Sequence, residues 1–76
     1  MDPKSPSPID AHVAQRLRER RQALKLSQEE LAQRAGVSYQ QVQKYEKGQS
    51  RISAGRLFEL AQAMDVSLPY FYLGLD

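Results

Sequence analysis

The chain contains no cysteine. That excludes a disulfide framework and a thiolate metal site, and leaves the redox compartment open. A single histidine, His12, has no second ligand type beside it and reads as a surface residue rather than a catalyst or ligand. No apolar run approaches the roughly 20 residues of a membrane span. The segment 1–8, rich in Pro and Ser, lacks the apolar stretch of a secretory signal. A soluble, cytoplasmic protein is expected. There is no phosphate-cradling glycine motif and no convergent set of carboxylates, so neither an enzyme nor a cofactor nor a metal is expected. Strand-like alternation is also missing. Apolar residues recur with a period near 3.6, which predicts an all-α chain of about five short helices.

What is present fits one small domain. A chain of 76 residues buries only about 60% of the surface its unfolded form exposes, so stability rests on tight packing or on dimerisation. The formal net charge is only +2, but it is clustered. Over 1–26, Lys4, Arg16, Arg18, Arg20, Arg21 and Lys25 outweigh Asp2, Asp10 and Glu19. Over 39–56, Lys44, Lys47, Arg51 and Arg56 face Glu46 alone. Two basic clusters suit a polyanion; on charge alone, a solvated mixed surface fits equally well.

Residues 1–7 hold Pro, Ser and charge with nothing to bury, and read as a disordered arm preceding a domain over 8–76. The first helix is expected near Pro8, with Ser7 capping it and Asp10 closing the capping pattern. Val13, Leu17 and Leu24 mark one face, with Arg16, Arg18 and Arg20 solvated elsewhere. Arg21 falls on the apolar face and must snorkel or pair. Ser27-Gln28-Glu29-Glu30 is a capping box that opens a second helix; Leu31, Ala32 and Ala35 face inward, and Gly36 supplies the left-handed stop. Ser38 caps a third helix, in which Val42, Tyr45 and Glu46 share one face and Gln40, Gln43, Lys44 and Lys47 the other; Gly48 ends it. Glu46 on an inward face is the counterpart of Arg21, and an Arg21–Glu46 salt bridge is expected because either charge buried alone is costly. Gln49 to Ile52 forms a loop exposing Arg51. Ser53 caps a fourth helix whose face is Leu57, Leu60, Ala61 and Met64. The tail at Leu68 to Leu73 carries more large apolar groups than it can bury. Tyr70, Phe71, Tyr72 and Leu73 are therefore expected to form a homodimer contact; the other outcome is a tail folded back on the first helix.

The stretch LSQEELAQRAGVSYQQVQKYEKG, with Leu57, Leu60-Ala61 and Val66-Ser67 beyond it, resembles the helix-turn-helix of the Cro/phage-repressor (XRE) family. The likeness runs in register from Val13 to about Phe71, and is greatest to small bacterial regulators with QQVQKYEKG-x-x-RI. It implies a lambda-repressor-like bundle with its helix-turn-helix at 27–48. It also implies a transcriptional regulator, a repressor by analogy, that binds double-stranded DNA at a palindromic operator as a dimer. On the matching positions Tyr39, Gln40, Gln43 and Lys44 would read bases: Gln suits adenine N6 and N7, Lys suits guanine O6 and N7. Gln28, Ser38, Lys47 and Arg51 would bind phosphates. The other function weighed is an antitoxin-type module that holds a protein partner through the aromatic tail.

Overall fold

A serine stands immediately before each of four α-helices. The computed structural model describes residues 7–75, as α1 (Pro8–Ala23), α2 (Gln28–Ala35), α3 (Tyr39–Glu46), α4 (Ala54–Ala63) and a closing 3-10 turn (Leu68–Tyr72). Ser7, Ser27, Ser38 and Ser53 each have extended backbone, and each hydroxyl accepts the amide three residues on, satisfying a donor the helix cannot. At Ser7 and Ser27 the carboxylates of Asp10 and Glu30 accept the serine N–H in return, completing a reciprocal box. No strand occurs among the described residues. The fifth expected helix is only a 3-10 turn, because Pro69 and the five-residue span leave no room for i→i+4 bonds to propagate. The disordered arm expected over 1–7 lies outside the described residues except at Ser7, which belongs to the α1 cap.

Each α-helix also ends on a left-handed residue. Those residues are Lys25 (φ 58°), Gly36 (φ 72°), Gly48 (φ 70°) and Asp65 (φ 56°). After α1, α3 and α4 the chain closes with paired bonds, such as Lys25 N–H to Gln22 and Leu26 N–H to Arg21. The turn after α1 redirects the apolar pattern. Leu24 was expected on the α1 core face but is 36% exposed, and Leu26, two residues on, is buried in its place. Helical phase past Leu17 would have carried Leu24 inward; the helix has already ended at Ala23.

The core is a cluster of Val13 and Leu17 from α1, Leu31, Ala32 and Ala35 from α2, Val42 and Tyr45 from α3, and Leu57, Leu60, Ala61 and Met64 from α4. Ala32 and Ala35 keep α2 thin, so α3 packs on one side of it and α4 on another. Phe71, fully buried, plugs the end of the cluster, and its 3-10 turn packs on α1 and α4.

The tail thus folds back on α1, and that corrects the dimer-contact reading for two of its four residues. Phe71 is core. Tyr70 is half-buried, edge-on to Phe71 at 5.5 Å between centroids, and covered by the Arg16 guanidinium 3.9 Å from its ring centre. Tyr72 and Leu73 remain 45% and 59% exposed. The α1 stripe that holds the tail is polar. His12 Nε2 lies 2.7 Å from the Leu73 carbonyl oxygen and donates to it, Arg16 Nε donates to the Tyr70 carbonyl at 3.0 Å, and Arg20 Nε donates to the Met64 carbonyl at 3.0 Å. Arg16 and Arg20 were expected to be solvated and His12 to be a plain surface residue. Their spacing of four aligns all three on one side of α1, where His12 and Arg16 meet the tail and Arg20 meets the end of α4.

Candidate nucleic-acid interface

One ion pair sets the position of α3. Arg21 Nε donates to Glu46 Oε2 at 2.6 Å and Nη2 donates to Oε1 at 2.9 Å, a two-pronged contact across α1 and α3. Nη1 donates to the Leu26 carbonyl at 2.8 Å, so one guanidinium ties α1, the turn before α2, and α3. The side chains are 12% and 3% exposed, and no buried side-chain N or O atom among the described residues is unpartnered. The Glu46 hydrogen bonds hold the Arg21 guanidinium pKa above its ordinary value, against the opposing effect of burial. Gln28, the first residue of α2, donates Nε2 to Glu46 Oε1 at 3.1 Å. The start of α2 and the end of α3 are therefore oriented by the same carboxylate. One Gln28 N–H is committed to Glu46, and the second remains available to a ligand.

With Val42 and Tyr45 facing the core and Glu46 clamped, the opposite face of α3 points outward. Tyr39, Gln40 and Lys44 are exposed and Gln43 is half-buried. The structure brings two of these together: Gln43 Nε2 donates to the Tyr39 hydroxyl at 2.8 Å, one turn apart. The phenol, having accepted, has its own O–H to donate outward. Gln43 retains its carbonyl and one N–H. Gln40 and Lys44 extend from the same face without a described partner. The array offers donors, an amide acceptor and one cation, the complement of base edges in a major groove.

The remaining polar candidates flank that face. The Ser38 hydroxyl accepts the Gln41 amide at 3.1 Å as the α3 cap, leaving its proton to donate. Lys47 is exposed at the C-terminal cap of α3. Arg51 stands apart from the others, with Nε 3.3 Å from Asp10 Oδ2, a carboxylate already used in the α1 cap. The Ser7 backbone N–H, the Ser7 hydroxyl and Arg51 together hold the Asp10 pKa below its ordinary value. Residue types alone did not disclose the Tyr39–Gln43 and Asp10–Arg51 contacts. The first had a signal in its i, i+4 spacing; the second joins residues 41 positions apart and had none.

Residues 17–71 match the family model described as Helix-turn-helix. That span includes both helices of the motif, the ion pair that braces them and the Phe71 plug. This chain belongs to the helix-turn-helix family of the Cro and phage repressors. Within that family it is 57% identical over 68 residues to an uncharacterized transcriptional regulator in the ATPase CF(0) region of Rhodospirillum rubrum, covering 90% of this chain and 63% of the relative. It spans about half the length of further curated HTH-type regulators from Sinorhizobium. Among solved structures, the restriction-modification controller protein C.AhdI from Aeromonas hydrophila superposes with a TM-score of 0.79 at 37% identity, over 82% of this chain and 94% of that one. The P22 c2 repressor, solved in complex with a synthetic operator, superposes with a TM-score of 0.73 at 29% identity, over 78% of this helix-turn-helix domain and 89% of the repressor chain. No helix among the described residues is long and apolar enough to cross a membrane.

Proposed function

We propose that this helix-turn-helix domain binds double-stranded DNA in a sequence-specific manner and regulates transcription, as a cytoplasmic protein. In this reading α3 lies in the major groove with Tyr39, Gln40, Gln43 and Lys44 towards the bases, while Gln28, Ser38, Lys47 and Arg51 hold phosphates. The observation that carries it is the division of α3 into two faces: one immobilised by Val42, Tyr45 and the Arg21–Glu46 pair, the other outward and polar. A reading helix must be held rigidly by groups that are not themselves the readers. Family membership, and the likeness to a repressor solved on an operator, support the same reading.

A helix of eight residues is about 12 Å long and reads one half-site. Useful affinity therefore calls for two copies, which implies a palindromic operator with half-sites about one helical turn apart. Tyr72 and Leu73 are the exposed apolar groups of the tail that suit the contact between copies. Selection of bound duplexes from a random DNA library tests both parts. Recovery of an inverted repeat is the expected result; no enrichment over the starting pool at moderate salt would refute sequence-specific binding.

A further inference from the structure

Most of the arginines are already engaged. Arg16 donates to the Tyr70 carbonyl of the tail, Arg20 to the Met64 carbonyl at the end of α4, Arg21 to Glu46, Arg51 to Asp10, and Arg56 to Glu59 at 3.1 Å. Arg18 and Arg34 have no hydrogen-bond or ion-pair partner among the described residues, and their surroundings differ. Arg34 lies beside Glu59 and Gln62, with Glu30 on its own helix. Arg18 projects from α1 into a concave surface lined also by Arg21, Gln28, Glu46 and Lys47. The same arginine and Lys47 border an adjoining hollow between α1 and the end of α3, with Ala11, Ala14 and Gln15.

The charge balance of the concavity follows from the contacts around it. Arg21 and Glu46 neutralise one another at 2.6 Å, and Gln28 takes up a further lone pair of the same carboxylate. What remains is two uncompensated cations, Arg18 and Lys47, and one spare Gln28 N–H. Donors from α1, from the start of α2 and from the C-terminal cap of α3 thus surround a hollow whose acid among the described residues, Glu46, is already satisfied. That is the donor set of a site for a phosphate diester, the monoanion repeated along a DNA backbone.

We infer that Arg18 is a backbone-phosphate contact of the DNA complex, acting with Gln28 and Lys47. It extends the interface from the helix-turn-helix onto α1, and it rests on the DNA-binding reading above. A contact of this kind adds affinity equally for every sequence, because phosphates carry no base information. It also releases one counterion and so contributes to the salt dependence.

The experiment compares the full chain with R18Q and R34Q by fluorescence anisotropy, on the duplex preferred in selection and on a random-sequence duplex, across a salt series. R18Q is expected to lower the slope of log K against log salt by about one and to weaken both duplexes by the same factor. R34Q is expected to keep the wild-type slope. Thermal melts of the two variants should overlay the wild type, since neither side chain makes a hydrogen bond or close ion pair among the described residues. A wild-type slope for R18Q, a loss confined to the preferred duplex, or an equal drop in R34Q overturns the assignment. Wild-type protein that binds neither duplex refutes the DNA-binding reading itself, a result that cannot be confused with the others.

Discussion

Arg21 and Glu46 are each tolerable in the interior only because of the other. Removing one leaves a desolvated charge, so Glu46→Ala should cost about 3–5 kcal/mol in urea unfolding. Replacing both with apolar residues of similar size should recover most of that loss, because two desolvation penalties disappear along with the attraction. A double variant as unstable as Glu46→Ala would show that the pair contributes more than charge balance. Asp10 behaves differently because it is near the surface. Its pKa is depressed in the folded protein, so the stability it contributes is complete above the ordinary carboxylate range and is lost as pH falls below about 4. Asp10→Asn should be less stable than wild type at neutral pH and show a shallower decline under acid titration followed by circular dichroism. On the outward face of α3, the proposed function predicts that Gln40→Ala relaxes base preference at one operator position while Gln28→Ala weakens all sequences alike. Tyr39→Phe and Gln43→Ala should be non-additive in binding, because their side chains share a hydrogen bond.

Helix ends show which parts of the fold were legible from residue type. The serine caps, the two carboxylate boxes, and the stops at Gly36 and Gly48 all follow from residues with one dominant use at that position. The stop at Asp65 was also legible, aspartate being enriched in the left-handed region, but the stop at Lys25 was not, since lysine does not favour that conformation enough to mark it. Leu24 was misplaced for the same reason: without knowing that α1 stops at Ala23, its phase along the helix was extrapolated one residue too far. Energetically the four stops divide into two strained and two relaxed. Lys25→Gly and Asp65→Gly should each stabilise the domain by roughly 0.5–1 kcal/mol, and Gly36→Ala should destabilise it by about 1 kcal/mol. Chemical denaturation of the three variants checks the signs. A Lys25→Gly variant less stable than wild type would indicate that unfolded-chain entropy outweighs the relieved strain.

At the scale of the whole molecule, the tail has two jobs on opposite sides. Phe71 completes the core, and Phe71→Ala should cost about 3–5 kcal/mol. Tyr72 and Leu73 face outward, so a Tyr72→Ser, Leu73→Ser variant should keep the monomer's unfolding midpoint and lose self-association in sedimentation equilibrium. Unchanged association would move the contact to another face. Reading the tail as a uniformly apolar strip hid this division, because residue type alone does not say which of four neighbouring side chains turns inward. The core faces of α2, α3 and α4 were legible because their apolar residues recur at helical spacings of three or four, over two turns in α4. Five residues of 3-10 turn provide no such repeat.

His12 and Arg16 take hold of the tail by its carbonyl oxygens, and Arg20 holds the end of α4 in the same way. Every residue carries the same carbonyl, so apart from the Phe71 plug and the ring of Tyr70 the mooring is indifferent to which side chains the tail displays. A segment of equal length with those two aromatics retained would dock just as firmly while presenting a new outer surface. The first helix therefore serves as a fixed berth, and the exposed positions of the tail can diverge without disturbing the position of α3.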